Sequence, residues 1–331
     1  MLHICIVKKH YSMYFLNLIK SNENDEPRSK NTIQTYKYDW RNAIKVFYPN
    51  RDVDVDDERN FKMLDFSLEK IMKKINKIPI KKRKRILNII IVLKKAMNKS
   101  KELKEMREEL KKINLEIMGF EELNIKTDKQ KANWLEVKEY EGLLNRLEET
   151  TKDIFKNENI GTKSRDKIQE YIILKFYKLY HLRNDLAELK VIKHRDYINL
   201  SKSEEKESNW IIIDGRARSV ILNNYKTQKS FKKVKIELDK GLARVIRKFL
   251  KLNDSGFLLI NQKGTPLTKN TFSVYFRRMM KKYTGKSVGS SLLRHIFISS
   301  KTKDMKSVAE RRELADKMLH SVSTQSLYHK N

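Results

Sequence analysis

The chain holds a single cysteine, Cys5, among 331 residues. One cysteine can close neither an intrachain disulfide nor a cysteine-based zinc site, and it suits a reducing intracellular compartment. Glycine is scarce at nine residues and proline at four. No glycine-rich phosphate loop occurs, and no internal repeat is visible. No apolar stretch approaches the ~20 residues of a membrane helix. The N-terminus, MLHICIVKKHYSMYFLNLIK, lacks the apolar core and cleavage site of a secretory signal. The expectation is an intracellular protein, neither secreted nor membrane-bound. Acidic residues are few: 42 against 73 Lys and Arg, a formal charge of +31. Such a chain repels itself and is offset by a polyanionic partner. Nucleic acid is the first candidate, because phosphate contacts supply much of the affinity in such complexes. A merely Lys-rich RNA binder of ribosomal type has the same composition.

Hydrophobic periodicity divides the chain. Residues 1–27 form a leader of uncertain structure. A helix follows, capped by Ser29, Asn31 or Thr32, with Tyr36, Trp40, Ala43, Ile44 and Phe47 on one face. A second helix is expected over 66–78. The third, IKKRKRILNIIIVLKKAM, is apolar enough to need burial by its neighbours. A charged helix over 101–118 completes a helical domain at 28–125. The segment around 126–132, within GFEELNIKTDKQKAN, reads as a linker, and 133–331 as a second domain.

That second domain begins with helices at WLEVKEYEGLLNRLEE and SRDKIQEYIILKFYKLYH, the latter apolar nearly all round and therefore central. The period then changes to two. NWIIID, Asp214-Gly215 and ARSVILNN read as a hairpin, and FKKVKIEL as a third strand. The expectation is a small three-stranded antiparallel sheet inside a mixed α+β domain. Four helices close the chain: TFSVYFRRMMKKY, SLLRHIFIS, SVAERRELADKML and a last turn around STQSLY. Ser307 and Glu310 match a capping box.

Polar residues with chemical potential gather late. SLLRHIFIS carries Arg294 and His295, and ADKMLHSVSTQSLYHK carries His320 and Tyr328. Here the sequence resembles the tyrosine recombinases, the phage-integrase-like enzymes that break and rejoin DNA. Their C-terminal signature is an Arg box, a second-box His and a nucleophilic Tyr. The resemblance implies an earlier Arg, matched by Arg183 in HLRNDLAEL, and a Lys on a strand turn, matched by Lys226 in NYKTQKSFKK with Lys229 as substitute. SKNTIQTYKYDW…KKRKRILNIIIVLKKA is similar to the helical, SAM-like core-binding domain of these enzymes. The resemblance spans roughly residues 28–331. The order Arg, Lys, Arg, His, Tyr is specific, whereas any one box alone is weak.

The resemblance implies a mainly α, two-domain DNA clamp that grips opposite faces of a duplex. It also implies a 3′-phosphotyrosine intermediate, a homo-tetramer on double-stranded DNA, and neither metal nor other cofactor. Accessory DNA-bending proteins are compatible with it. The task would be integration or excision of a mobile or viral element, in a host nucleus, a viral factory or a bacterial cytoplasm. The chemistry suits the residue types. A Tyr hydroxyl, with a pKa of about 10, is a poor nucleophile at neutral pH and needs help. Two Arg side chains grip the non-bridging oxygens of the phosphate and hold the charge that builds there. One such contact is worth on the order of 3–4 kcal/mol of barrier. Lys226 would protonate the leaving 5′ oxygen, and His320 would bind the phosphate or assist the Tyr proton.

Several residues also admit plainer readings. Lys81, Lys82, Arg83, Lys84 and Arg85 form a basic run that contacts phosphates, is simply solvated, or serves as a nuclear import signal. Ser291 stands where the family usually has His or Lys. It reads as a helix cap or as a supporting hydrogen-bond donor. His295 reads as a satisfied structural histidine or as a supporting group. Leu186 stands where an acid usually follows the first Arg, leaving Asp185 or Glu188 to orient Arg183. Only three residues follow Tyr328. A type IB topoisomerase uses the same Tyr chemistry as a monomer, and a catalytically silent DNA-binding relative would keep the fold without the reaction.

Overall fold

A computed structural model describes residues 14–21, 26–99, 101–303, 307–319 and 321–330. The chain divides into two compact units, Met1–Leu123 and Asn124–Asn331. Among the described residues no helix is long and apolar enough to cross a membrane.

The first unit is helical, with α1 (Tyr14–Ile19), α2 (Lys30–Phe47), α3 (Leu68–Ile75), α4 (Ile80–Ala96) and α5 (Leu103–Glu122). Ser29 caps α2, its hydroxyl accepting from the Thr32 amide at 3.2 Å. Trp40, Ala43, Ile44 and Phe47 from α2 then meet Ile86, Leu87, Ile89, Ile90 and Leu93 from α4 in one core. The Trp40 indole N–H is satisfied by the Val55 carbonyl at 3.0 Å. The second helix is shorter than its apolar pattern suggested. Phe66 lies outside it, because the Ser67 hydroxyl accepts from the Lys70 amide and sets the start at Leu68.

The segment expected as a linker is ordered locally. Asp128–Ala132 is a helical turn closed by a reciprocal Thr127–Gln130 capping box. The Lys126 ammonium lies 4.4 Å from the Trp134 ring centroid.

The second unit begins with α6 (Val137–Ile154) and α7 (Thr162–Tyr180). Ile168, Ile172, Ile173, Leu174, Phe176 and Tyr177 make α7 the central element of its core. The sheet departs from the sequence reading. It has four strands in the order β1 (Lys190–Ile192), β2 (Trp210–Asp214), β3 (Ala217–Leu222) and β4 (Val234–Glu237). The β2–β3–β4 meander is antiparallel, but β1 pairs with β2 in parallel, Val191 opposite Ile211. Three residues are too few to show an alternating pattern, and a parallel partner comes from a crossover rather than a turn, so β1 left no local signal. Helix α8 (Lys240–Phe249) also has no counterpart among the expected elements. It starts at an Asp239 cap and buries Leu242, Ala243, Ile246 and Phe249.

Helices α9 (Lys269–Thr284), α10 (Ser290–Thr302), α11 (Val308–Lys317) and α12 (Val322–Ser326) close the fold. Phe272, Phe276 and Met279 of α9 recur at helical spacing and are buried, joined by Met280. Ser307 and Glu310 form the expected capping box at the start of α11. Of the candidate site residues, Arg183 follows α7, Ser291, Arg294 and His295 lie on α10, Lys226 lies on the β3–β4 turn and Tyr328 follows α12.

Candidate active site

Arg294 is the centre of the arrangement. It points into the protein from α10 and is 1% exposed. One guanidinium nitrogen donates to the Met318 carbonyl at 3.2 Å, which ties α10 to the end of α11. Its Cζ lies 5.3 Å from the Tyr328 ring centroid. Burial lowers its pKa to about 10, and repulsion from Arg183 adds to that, while Tyr328, Tyr177 and Asp185 oppose it. A buried cation beside another cation is an expensive arrangement unless anionic groups complete it.

Tyr328 follows α12 by two residues rather than lying within it, its amide donating to the Gln325 carbonyl at 2.9 Å. Its ring packs on Ile298, Leu314 and Met318. It also stacks on His295, with centroids 4.5 Å apart and ring planes 28° apart. The His295 Nδ1 lies 2.8 Å from the Tyr328 carbonyl oxygen, so this nitrogen carries the proton and donates. Two further bonds run along the same face of α10. The Ser299 hydroxyl accepts from the Lys330 amide at 2.7 Å, and the Thr302 hydroxyl meets the His329 Nδ1 at 2.6 Å. His295, Ser299 and Thr302 recur at helical spacing, so one side of a single helix holds Tyr328 and the two residues after it.

Arg183 follows the C-terminus of α7, half-buried. His181 ends that helix in a left-handed conformation, φ 49°. Its Nδ1 donates to the Tyr177 carbonyl at 2.7 Å, and its Nε2 accepts from Lys301 of α10 at 2.8 Å. Burial drives the His181 pKa down to about 3, and the Lys301 charge adds to this, so the ring is neutral. The Tyr177 hydroxyl donates to the Arg183 carbonyl at 3.0 Å. Asn184 bridges two helices. Its Nδ2 donates to the Ser273 hydroxyl of α9, and its Oδ1 accepts from Ser290 of α10, both at 2.6 Å.

The carboxylate expected near Arg183 is buried at Asp185, 6% exposed, whereas Glu188 is exposed. Burial raises the Asp185 pKa against the opposing charges of Lys269, Arg183 and Arg294. Sequence reasoning missed Lys269, whose ammonium lies 3.7 Å from the Asp185 carboxylate. Nothing in a lone Lys at the start of α9 signals that contact.

Lys226 is exposed on the turn between β3 and β4, and Lys229 is exposed on the short helix Gln228–Phe231 that follows. The turn is tied inward. The Thr227 hydroxyl donates to the Leu319 carbonyl at 3.2 Å, next to the Met318 carbonyl that holds Arg294. His320 falls outside the described residues. Ser291 does not cap α10. Gly289 holds the cap position, and Ser291 is exposed within the first turn, on the side of Arg294 by its spacing. Ser290 is the hydroxyl that reaches Arg183's neighbour.

In the helical unit the basic run is divided. Lys81 pairs with Glu121 at 2.8 Å, and Arg85 pairs with Asp39 at 2.7 Å. Arg83 donates to the Asn76 carbonyl at 3.1 Å. Lys82 is exposed and Lys84 half-buried. A shallow groove beside them is lined by Tyr38, Asn42, Lys82 and Arg85 among others.

No family model and no curated protein matches this sequence. Several solved structures are similar to it. XerA recombinase is 15% identical, aligned over 98% of this chain and 94% of its own, with a TM-score of 0.38. XerH site-specific recombinase, bound to its difH substrate in a pre-cleavage complex, is 14% identical over 90% of this chain and 76% of its own, with a TM-score of 0.48. The Tn1549 transposon integrase, in complex with transposon right-end DNA, is 14% identical over 89% and 95%, with a TM-score of 0.38.

Proposed function

We propose that this chain is a tyrosine recombinase that cleaves and rejoins double-stranded DNA through a covalent bond to Tyr328. The observation that carries this reading is a tyrosine brought against a buried arginine by a helix face that holds its backbone, with the charge of Arg183 felt at Arg294. Two neighbouring arginines beside the Tyr328 phenol suit a phosphodiester, whose charge would add to that of Asp185.

In the proposed reaction Arg294 and Arg183 hold the non-bridging oxygens of one phosphate. The Tyr328 oxygen attacks phosphorus, and its proton passes to a base, the role assigned to His320. The bond from phosphorus to the 5′ oxygen breaks, and Lys226 protonates that oxygen. A 3′-phosphotyrosine and a free 5′ hydroxyl result. Attack by a second 5′ hydroxyl reverses every step on a new strand. His295 supports the site by orienting Tyr328 through its ring and backbone, and Ser291 is near enough in sequence to donate a hydrogen bond to DNA. Exchange between two duplexes requires four subunits on DNA. The task proposed is integration or excision of a mobile or viral element. Lys82, Lys84 and Lys229, with Lys81, Arg83 and Arg85, supply phosphate contacts, so binding weakens steeply with salt.

A nicked suicide duplex tests the reading. Incubation should give a covalent protein–DNA adduct that survives denaturation and disappears in Tyr328→Phe. Absence of any adduct, with duplex binding intact, would reduce the protein to a DNA-binding relative. Relaxation of a supercoiled plasmid lacking a paired site would favour a type IB topoisomerase.

A further inference from the structure

The proposed proton donor, Lys226, sits on an exposed turn, and general acid catalysis needs its ammonium within hydrogen-bond reach of the leaving oxygen. Two ties bracket this residue. On its C-terminal side Thr227 bonds the Leu319 carbonyl. On its N-terminal side the Asn224 carbonyl accepts from the Lys269 ammonium at 3.3 Å. That same ammonium reaches back to Asp185, two residues beyond Arg183. Lys269 therefore spans from the Arg183 segment to the Lys226 turn. One helical turn further along α9, Ser273 accepts from Asn184, so the start of α9 contacts the Arg183 segment twice.

We propose that Lys269 is a positioning residue, whose bridge between the Asp185 carboxylate and the Asn224 carbonyl holds the Lys226 turn where its ammonium meets the leaving 5′ oxygen. This rests on the strand-transfer reading above. Asp185 is the fixed end of the bridge, because it is buried and its neighbour Asn184 is clamped to α9 and α10. The Lys226 turn is the end that needs fixing. Asn223 and Asn224 are anchored to the 205–209 segment by side-chain bonds, and the Asn224 carbonyl also accepts from the Asn209 side chain at 3.0 Å, but those bonds hold the turn to its own sheet rather than to the Arg183 segment.

The leaving group separates positioning of the acid from general damage. An alkoxide must be protonated as it departs, whereas a thiolate departs without a proton, since a thiol is a far stronger acid. Two nicked duplexes differing only in oxygen or sulfur at the bridging 5′ position of the cleaved phosphate therefore report on proton donation. With the full chain, Lys269→Met should slow single-turnover cleavage of the oxygen duplex by on the order of tenfold or more. It should leave cleavage of the sulfur duplex near the wild-type rate, and Lys269→Arg should restore most of the oxygen rate. Lys226→Met should show the same contrast, and adding Lys269→Met to it should slow the oxygen reaction little further. Equal slowing of both duplexes by Lys269→Met, or no slowing of either while the wild type reacts, would overturn the positioning role alone. Failure of the wild type to form an adduct with either duplex would overturn the strand-transfer reading and this inference with it.

Discussion

Two sites, Asp39 in the helical unit and Arg294 in the second, handle charge in opposite ways. The helical unit buries an anion and leaves its partner outside: the Asp39 side chain is 6% exposed, and the Arg85 side chain that pairs with it is 47% exposed. Arg85 also lies over the Tyr38 ring at 5.0 Å. The second unit buries the cation instead, Arg294, with Arg183 close enough to repel it. The first arrangement is locally complete, because a water-exposed guanidinium keeps most of its hydration. The second desolvates a guanidinium beside another cation, with Asp185, Tyr177 and Tyr328 only partly offsetting the burial, so an added anion would be favoured there. The contrast teaches where to look for a ligand: not where cations are most numerous, as in KKRKR, but where one is held against its own electrostatic interest.

Substituting Arg294 by Met should bring out this contrast most strongly. Strand cleavage should fall by on the order of a hundredfold to a thousandfold, about 3–4 kcal/mol of barrier. Stability to urea should be unchanged or slightly raised, because an apolar side chain of similar length removes a buried charge. A large loss of stability with cleavage spared would mean that Arg294 is a structural group. Single-turnover cleavage and urea unfolding, run side by side, decide between them.

A smaller effect concerns His181, which ties the Arg183 approach to α10. Its folded-state pKa of about 3 lies below the unfolded value of 6.5. The stability of the neutral ring is therefore complete above pH 6.5 and is lost as pH falls below it, while the folded state still excludes the proton. Between pH 6.5 and pH 5 the loss should be on the order of 2 kcal/mol. His181→Asn keeps a residue that tolerates the left-handed backbone and cannot titrate. Its unfolding free energy should be nearly flat over that window relative to the wild type. Parallel pH profiles of the two proteins would contradict the assignment.

Arg85→Ala should have the smallest effect, about 1–2 kcal/mol of stability, because it leaves the Asp39 carboxylate buried with its partner gone. Asp39→Asn in the same background should recover part of that loss. If Arg85→Ala proves neutral while Arg294→Met is strongly destabilising, the contrast between the units is reversed.

Much of this was legible in the chain. Ser29 before α2 and the Ser307–Glu310 box fix helix starts through bonds a few residues apart, and such bonds survive any tertiary context. The strand pattern of WIIID and VKIE, and the buried face of α9, follow from spacing alone. The boxes containing Arg183, Arg294 and Tyr328 were found through their resemblance to the recombinases rather than through periodicity. Other features had no local mark. Strand β1 is too short to show a period. Asp185 and Lys269 meet only because α9 crosses the end of α7. The cap expected of Ser291 failed because the cap position falls two residues earlier, at Gly289. Asp128–Ala132 is capped, although its composition reads as a linker.

By itself the sequence determined the chain's cationic excess, its helical and extended segments, and which face of each is apolar, because these depend on neighbours along the chain. Only the tertiary structure decided what each face meets: that His295 and Ser299 hold the backbone of Tyr328 and Lys330 while Thr302 holds the His329 ring, that Arg294 is buried beneath the Tyr328 ring, and that one lysine spans the gap to the Lys226 turn. The physical reason is that periodicity specifies burial without specifying the partner, and a charge's cost depends wholly on the groups that burial brings beside it.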